Sequence, residues 1–391
     1  MLNRELTFND LLYIGIGNII GGGVFSLMGR SIKFGGGMTW LYLIATGLLM
    51  YFMSKGYNDI MDQLKDSESE FKIAEGFAGS KFASGYILTS VLASASSGSV
   101  ISLAFTEHLK EIFNINYSNI TVSILVILAI SAINLIGIRE STTVINTMTV
   151  IELGALVLLS LMLPWNYNST ELTKSPPSLI KSAIVPLIII FAYTGAEALP
   201  KLAGESKNPQ QDIPKAIDWS ILTTSVLYAL VCMVMISVLG VDGASSSTTP
   251  ILDVFKNIFG NNVSSIVAII ALISIFNTIM MSNVSGSRSL YGLAKKMGIS
   301  GLNYVNNKTK TPMVSIIVTS LLSIGLLMLI GSIESLATLT NMFVMITMIV
   351  INGAALKTSK TNAQSTRNFI SMLLASVFIF FASNELYGEV S

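Results

Sequence analysis

Two short stretches and one isolated carboxylate carry the chemistry this chain offers. The first stretch is Ile19-Ile20-Gly21-Gly22-Gly23-Val24-Phe25, inside a run without a charged residue between Asp10 and Arg30. The second is Phe191-Ala192-Tyr193-Thr194-Gly195-Ala196-Glu197, followed by Pro200. The third feature, Glu152, is a lone acid in an apolar segment. None of these is equipped to make or break bonds. With one histidine, His108, and one cysteine, Cys232, most His-based catalysis, multi-cysteine metal sites and internal disulfides are excluded. What remains is non-covalent recognition by backbone groups. Each of three consecutive glycines weakens a helix by about 1 kcal/mol against alanine, and an unwound turn leaves backbone groups that hydrocarbon cannot satisfy. A break is tolerated where it faces a cavity, so both stretches are expected to join two half-helices at a binding site. A half-helix starting at Gly22-Gly23 would present N–H groups and a positive dipole end, which suit a carboxylate. The preceding half would end near Asn18-Ile19-Ile20 with free carbonyls, joined by those of Phe191 and Ala192, which suit an ammonium. Together they match the charge layout of an α-amino acid. Glycine clusters also permit close helix packing; it is the pair of breaks in matching segments that favours a site.

The elements that must position these residues are membrane helices. Of the 391 residues, 52% are hydrophobic and 12% charged, half the usual charged fraction of about a quarter, and the mean hydropathy is +0.69. The pattern predicts an all-α polytopic membrane protein with eleven segments, near 11–29, 38–54, 82–106, 119–138, 141–164, 180–200, 216–241, 263–287, 312–331, 335–356 and 368–384. The first and sixth segments correspond if five helices repeat, and an odd repeat places the second copy upside down, an arrangement that marks transporter binding sites. The expected organisation is a first five-helix repeat over 1–165, an outer loop over 166–178, an inverted repeat over 179–357, and an eleventh helix with a short tail over 358–391. All but six of the 23 Lys and Arg residues fall on one side if the N-terminus is cytoplasmic; Arg30, Lys33, Lys110, Lys174, Lys181 and Lys256 are the outer ones. The acidic loop Gly56 to Ser80, with Asp59, Asp62, Asp66, Glu68 and Glu70, is expected to be a solvated surface. Glu205 and Asp212 are expected to organise a second cytoplasmic loop with Lys207 and Lys215, and His108 to be solvated. A net charge of +1 gives no sign of a nucleic-acid partner, and no Gly-rich loop followed by Lys-Ser/Thr suggests ATP coupling.

The run IGIGNIIGGGVFSLMG from Ile14, and above all FAYTGAEALPKLAGESKNPQQDIPKAI from Phe191 to Ile217, resemble the amino acid–polyamine–organocation (APC) superfamily of permeases, which has the leucine-transporter fold. Glu205, Lys207, Asn208, Pro209, Ile213, Pro214 and Ala216 fall in its loop signature, and the resemblance covers about the first 357 residues. It implies a secondary active transporter of amino acids working by alternating access, not an enzyme, in the cell membrane. The coupling ion would be a proton, or sodium, with no other cofactor. An amino acid/polyamine exchanger and a permease-like sensor are the alternatives. The partners implied are an amino acid or amine and the bilayer. Carried over by residue, the substrate carboxylate would sit at the N–H groups of Gly22 and Gly23, beside Gly21, and its amino group near the carbonyls of Ile19, Phe191, Ala192 and Thr194. Thr194 and Gly195 would line the break and Phe191 would gate it. Glu152 stands where many members have a buried lysine, and is expected to take up and release a proton or to help bind a cation. Glu197 matches a frequent acid of the sixth helix, with a role in coupling and gating or in capping the broken helix. The family's Pro-x-Gly-Gly segment before the third helix is missing; Glu70-Phe-Lys-Ile-Ala-Glu-Gly76 stands there instead.

Overall fold

In lipid, apolar runs of this length satisfy their backbone groups most simply as α-helices, and helices joined by short turns make up nearly all of the computed structural model. It describes residues 4–63, 65–66, 68–113, 116–176, 178 and 185–390. The first residues of the expected sixth segment, with Lys181, lie outside the described residues. The helices are α1 (Phe8–Gly35), α2 (Thr39–Asp59), α3 (Ser69–Ala78), α4 (Ser80–Phe113), α5 (Asn119–Asn134), α6 (Ile138–Leu161), α7 (Val185–Tyr193), α8 (Pro209–Ser246), α9 (Pro250–Phe259), α10 (Asn261–Met297), α11 (Met313–Ile330), α12 (Ile333–Thr358) and α13 (Asn362–Val390). Among the described residues, ten helical stretches are long and apolar enough to cross a membrane, and Asn119–Asn134 is a shorter apolar helix. The molecule is an integral, multi-pass membrane protein of all-α class.

Local signals set the helix ends. Thr7 and Asp10 form a reciprocal capping box at the start of α1: the Thr7 N–H donates to Asp10 Oδ2 (2.8 Å) and the Asp10 N–H to Thr7 Oγ1 (3.4 Å). Gly298, with φ 67°, closes α10 after Lys295 and Lys296, whose charges suit a helix C-terminus. The seventh expected segment runs longer than its apolar core, from Pro209 to Ser246, and bends at Gly240.

The expected break in the first segment is not found. Helix α1 is helical throughout from Phe8 to Gly35. The physical reason is packing. A Cβ at Gly23 would fall on the main chain of Ala192, and one at Gly21 on the Ser274 carbonyl and Thr278 hydroxyl. The missing side chains therefore bring α1 against α7 and α10, and this packing overrides the weak intrinsic helix preference of glycine. Gly22 falls within the helix, but its packing lies outside the described residues. Most of the described residues between Leu11 and Gly29 are buried, with Leu11, Ile14, Ile20 and Val24 fully enclosed. The helix runs along α8 and touches α6, α7 and α10, while α4 runs along α10 and α12.

Candidate functional site

The sixth segment breaks where expected. Helix α7 stops at Tyr193, Thr194 and Gly195 form a turn, and a 3-10 stretch from Ala196 to Leu202 follows with Pro200 inside it. Gly195 has φ 128°, and a Cβ there would lie 2.9 Å from the Asn18 carbonyl, so conformation and space both require glycine. The interrupted backbone finds new partners. The Gly195 N–H donates to Glu197 Oε2 (2.6 Å), the Gly195 carbonyl accepts from Asn18 Nδ2 (2.9 Å), and the Phe191 carbonyl accepts from the Thr194 hydroxyl (2.7 Å). Glu197 thus caps the broken helix. The carbonyls of Ile19 and Ala192 share one donor, the buried Tyr228 hydroxyl, at 2.7 and 3.2 Å.

The break opens onto a cavity of about 20 Å³, lined by Phe191, Thr194, Gly195, Glu197 and Ala198, by Asn18 of α1, by Ala93, Ser94, Ser97 and Ile101 of α4, and by Thr278, Ser282 and Ser285 of α10. Two hydroxyl pairs, Ser94 with Ser285 and Ser97 with Ser282, each 3.2 Å apart, span its wall. That space holds about one water. Beyond Phe191, toward the end opposite the N-terminus, lies a second small space, bounded also by Leu27, Arg30, Glu334 and Asn341. Past Arg30 and Glu334 an open vestibule of about 640 Å³ follows. Phe191 therefore separates the deep cavity from the space above it.

The expected residues divide. Phe191, Thr194, Gly195 and Glu197 come together in the cavity. Ile19, Gly21, Gly23 and Ala192 are buried in the contact of α1 with α7, α8 and α10, and do not line it. Ser94, Ser97 and Ser282 line the cavity, whereas Ser96 and Ser99 make helix contacts, with Thr340 (2.8 Å) and the Ser323 carbonyl (2.7 Å). Asn18 was missed as a side chain, although it is the one amide in the first apolar segment. His108 is buried rather than solvated, with its ring edge-on to Phe25.

Glu152 sits apart from the cavity, on α6. It is fully buried, with no charged partner among the described residues, and the Ser274 hydroxyl is the group beside it that can hydrogen-bond to its carboxylate. Tyr228 also lies in its field. One turn earlier on α6, Thr149 accepts from Asn277 Nδ2 (2.9 Å). No cluster of three or more His, Cys, Asp or Glu suited to a metal ion occurs among the described residues.

A family model described as "Amino acid permease" matches residues 6–384. The chain belongs to the amino acid permease family, within the APC superfamily. This permease is 24% identical to a branched-chain amino acid permease of Bacillus subtilis (strain 168), over 94% of its own length and 83% of that protein. It is 25% identical to an aromatic amino acid transport protein of Salmonella typhimurium (strain LT2), over 82% of its length and 73% of that protein. A chloroplastic cationic amino acid transporter of Arabidopsis thaliana is 25% identical over 62% of the permease and 46% of the plant protein.

Charge pairs flank the permease's cavity on both sides. Toward the vestibule, Arg30 and Glu334 approach to 2.5 Å with partly exposed side chains, a pair worth about 0–1 kcal/mol and readily opened. Toward the N-terminal side, Glu205 does not organise a loop with Lys207 and Lys215 as expected. Its carboxylate takes a bidentate approach from Arg288 of α10, Nη2 to Oε1 at 3.0 Å and Nε to Oε2 at 3.3 Å, with both side chains 1% exposed. The Glu205 carbonyl also accepts the N–H groups of Glu5 and Leu6, at 2.9 and 3.0 Å. The N-terminal segment is thus pinned under the broken helix. Arginine is the residue suited to such a planar, buried pair.

Proposed function

We propose that this permease is a secondary active transporter of amino acids, coupled to protons and working by alternating access. The observation that carries the reading is the break at Thr194-Gly195, which opens onto a polar cavity closed by Phe191, in a chain matched to the amino acid permease model over residues 6–384. A cavity with room for about one water admits an amino acid only when the surrounding helices part. A weak outer pair at Arg30–Glu334 and a firmer one at Glu205–Arg288 suit opening on one side at a time. The side bearing the N-terminus is taken as cytoplasmic, from the bias of Lys and Arg.

In this reading the substrate sits against Phe191, Thr194 and Gly195, and Asn18 and the paired serines meet its polar groups. The backbone of Ile19, Gly21, Gly22, Gly23 and Ala192 joins the site only in a conformation that releases α1 from α7 and α10. Glu152 carries the coupling proton. An ionised carboxyl without a charged partner inside a membrane helix is costly, and that cost supports a group that takes up a proton and gives it back during the cycle. Glu197 holds the break in shape and passes charge changes at the cavity to it.

The test is uptake into proteoliposomes of labelled leucine, phenylalanine and lysine, with and without an inward proton gradient. The choice follows the relatives' branched-chain, aromatic and cationic substrates. Uptake of at least one of them, raised by the gradient, is expected; no uptake of any would refute the reading. Glu152→Gln should retain binding and lose gradient-driven uptake, and an unchanged pH dependence in that variant would remove Glu152 from the coupling role.

A further inference from the structure

The acidic stretch Gly56 to Ser80 departs from its expected solvated character at Asp59, whose side chain is bound by Arg367 and Asn368, and at Glu70 of α3. Asp62 is exposed, and Glu68 is partly exposed and bound to Lys295 at 2.7 Å. Glu70 is buried, at 5% exposure, because Phe71, Ile73 and Ala74 carry the same short helix into the bundle. There it lies in the field of Lys201, in the 3-10 stretch of the broken sixth segment, which is also 5% exposed. The Lys201 ammonium donates to the Ser94 hydroxyl (3.3 Å), which lines the cavity, and lies in the field of both Glu70 and Glu197. Glu70 accepts from the Ser289 hydroxyl (3.3 Å).

We propose that Glu197, Lys201 and Glu70 form a proton-carrying relay from the substrate cavity to the side of the protein that bears the N-terminus. The proposal rests on the permease reading and adds to it a route from Glu197 through Lys201 and Glu70, which that reading does not use.

Two observations carry it besides the placement. The first is a set of unsatisfied groups. Glu70 Oε1, the Tyr57 and Tyr86 hydroxyls and the Ser90 hydroxyl are all buried without a hydrogen-bond partner among the described residues. Both tyrosines lie in the field of Glu70. Buried polar groups are nearly always satisfied, so a cluster of orphans beside a charge group points to internal water, which binds where several polar partners converge. Tyr86, Ser90 and Ser94 recur every four residues along α4, so they share one face and lead from the cavity toward Glu70.

The second observation is the count of charge. Two carboxylates face one ammonium. The neighbouring charged groups of α10 are committed elsewhere: Arg288 to Glu205, Lys295 to Glu68 and Lys296 to Glu75. Lys357 of α12 donates to the Phe77 carbonyl. A surplus negative charge inside the protein is costly, and one proton cancels it. Burial pushes Glu70 up from the usual glutamate range, with Lys201 and the Ser289 hydroxyl pulling against it. A proton entering from the cavity forms the O–H bond of Glu197. As that bond breaks, the proton passes through water and the hydroxyls of Ser94, Ser90 and Tyr86 and forms an O–H bond on Glu70. It leaves Glu70 to bulk water. Lys201 stays an ammonium throughout and turns toward whichever carboxylate is ionised.

The experiment uses the full-length protein in proteoliposomes loaded with a pH-sensitive dye, with labelled leucine, phenylalanine and lysine as probes. Two readouts separate coupling from folding. Exchange of labelled for unlabelled amino acid needs no net proton movement; gradient-driven accumulation with internal acidification does. Glu70→Gln should keep exchange within about twofold and lose accumulation and acidification by about tenfold or more, and Glu70→Asp should restore at least half. Lys201→Met should behave as Glu70→Gln does. Should Glu70→Gln not yield folded protein, Tyr86→Phe removes one hydroxyl and should slow acidification about threefold at unchanged exchange. Wild-type accumulation in Glu70→Gln, or equal loss of exchange and accumulation without rescue by Glu70→Asp, overturns the relay. Wild-type uptake without acidification overturns the relay and the proton coupling while amino acid transport stands; no uptake at all removes transport as well.

Discussion

Replacing Gly23 by alanine decides between two roles for the glycines of α1. Intrinsic preference alone favours the change, since alanine stabilises a helix interior by about 1 kcal/mol over glycine. The packing opposes it. A Cβ at Gly23 would fall on Cα of Ala192, which is main chain and cannot turn aside as a side chain would. Overpacking of a tight interior costs about 1–3 kcal/mol, and contact with main chain belongs at the upper end. The net expectation is a loss of about 1–2 kcal/mol. Gly325, inside α11, is the control, because a Cβ there meets nothing within 4 Å. Gly325→Ala should gain up to about 1 kcal/mol. Thermal unfolding of the detergent-solubilised protein reads both, and the signs must be opposite. If Gly23→Ala is as stable as the wild type, α1 does not lean on α7 through this glycine, and the packing account of the glycine run is wrong.

Other outcomes follow from the same contacts. Arg288→Met leaves Glu205 buried without its partner and should cost about 3–5 kcal/mol. Adding Glu205→Gln should recover at least half of that, and an additive double-mutant cycle would show the pair to be uncoupled. Phe191→Ala joins the two spaces on either side of the ring and should raise the KM for transport about tenfold, equivalent to about 1.4 kcal/mol, with kcat changed less; an unaltered KM removes Phe191 from the closure. The Lys295 ammonium, by hydrogen bonding, holds Glu68 below the usual glutamate range. A depressed carboxylate contributes stability above its unfolded pKa, about 4.3, and loses it as pH falls through the folded value. Protection factors of the amides across 69–78, with observed rates corrected for the pH dependence of intrinsic exchange, should therefore be higher at pH 7 than near pH 3.5, and pH-independent protection contradicts the docking role of this pair.

Much of the fold was legible because membrane helices announce themselves by length and hydropathy, and the break at Gly195 because a glycine, a proline and an acid share one apolar segment. The glycine run of α1 was misread for a physical reason. The missing Cβ that permits unwinding also permits close packing, and sequence alone does not say which use is made of it. Phe191, Thr194, Gly195 and Glu197 were found from that break, since they lie on its turn. Glu70 was hidden by its acidic neighbours, although Phe71, Ile73 and Ala74 beside it carried the signal of a buried helix face. Lys201 falls one residue beyond the expected end of the sixth segment, 180–200, whereas the 3-10 stretch continues to Leu202 and keeps it buried.

The central claim is that an amino acid occupies the cavity at the Thr194-Gly195 break, and the single cysteine makes a direct measurement feasible. With Cys232→Ala as background, Ser97→Cys places one thiol on the cavity wall. Its reaction rate with a small thiol reagent is measured in proteoliposomes with and without saturating leucine, phenylalanine or lysine. The expected result is at least fivefold slowing by the amino acid the protein carries. A rate unchanged by an amino acid that the same liposomes take up would place the substrate elsewhere and contradict the account.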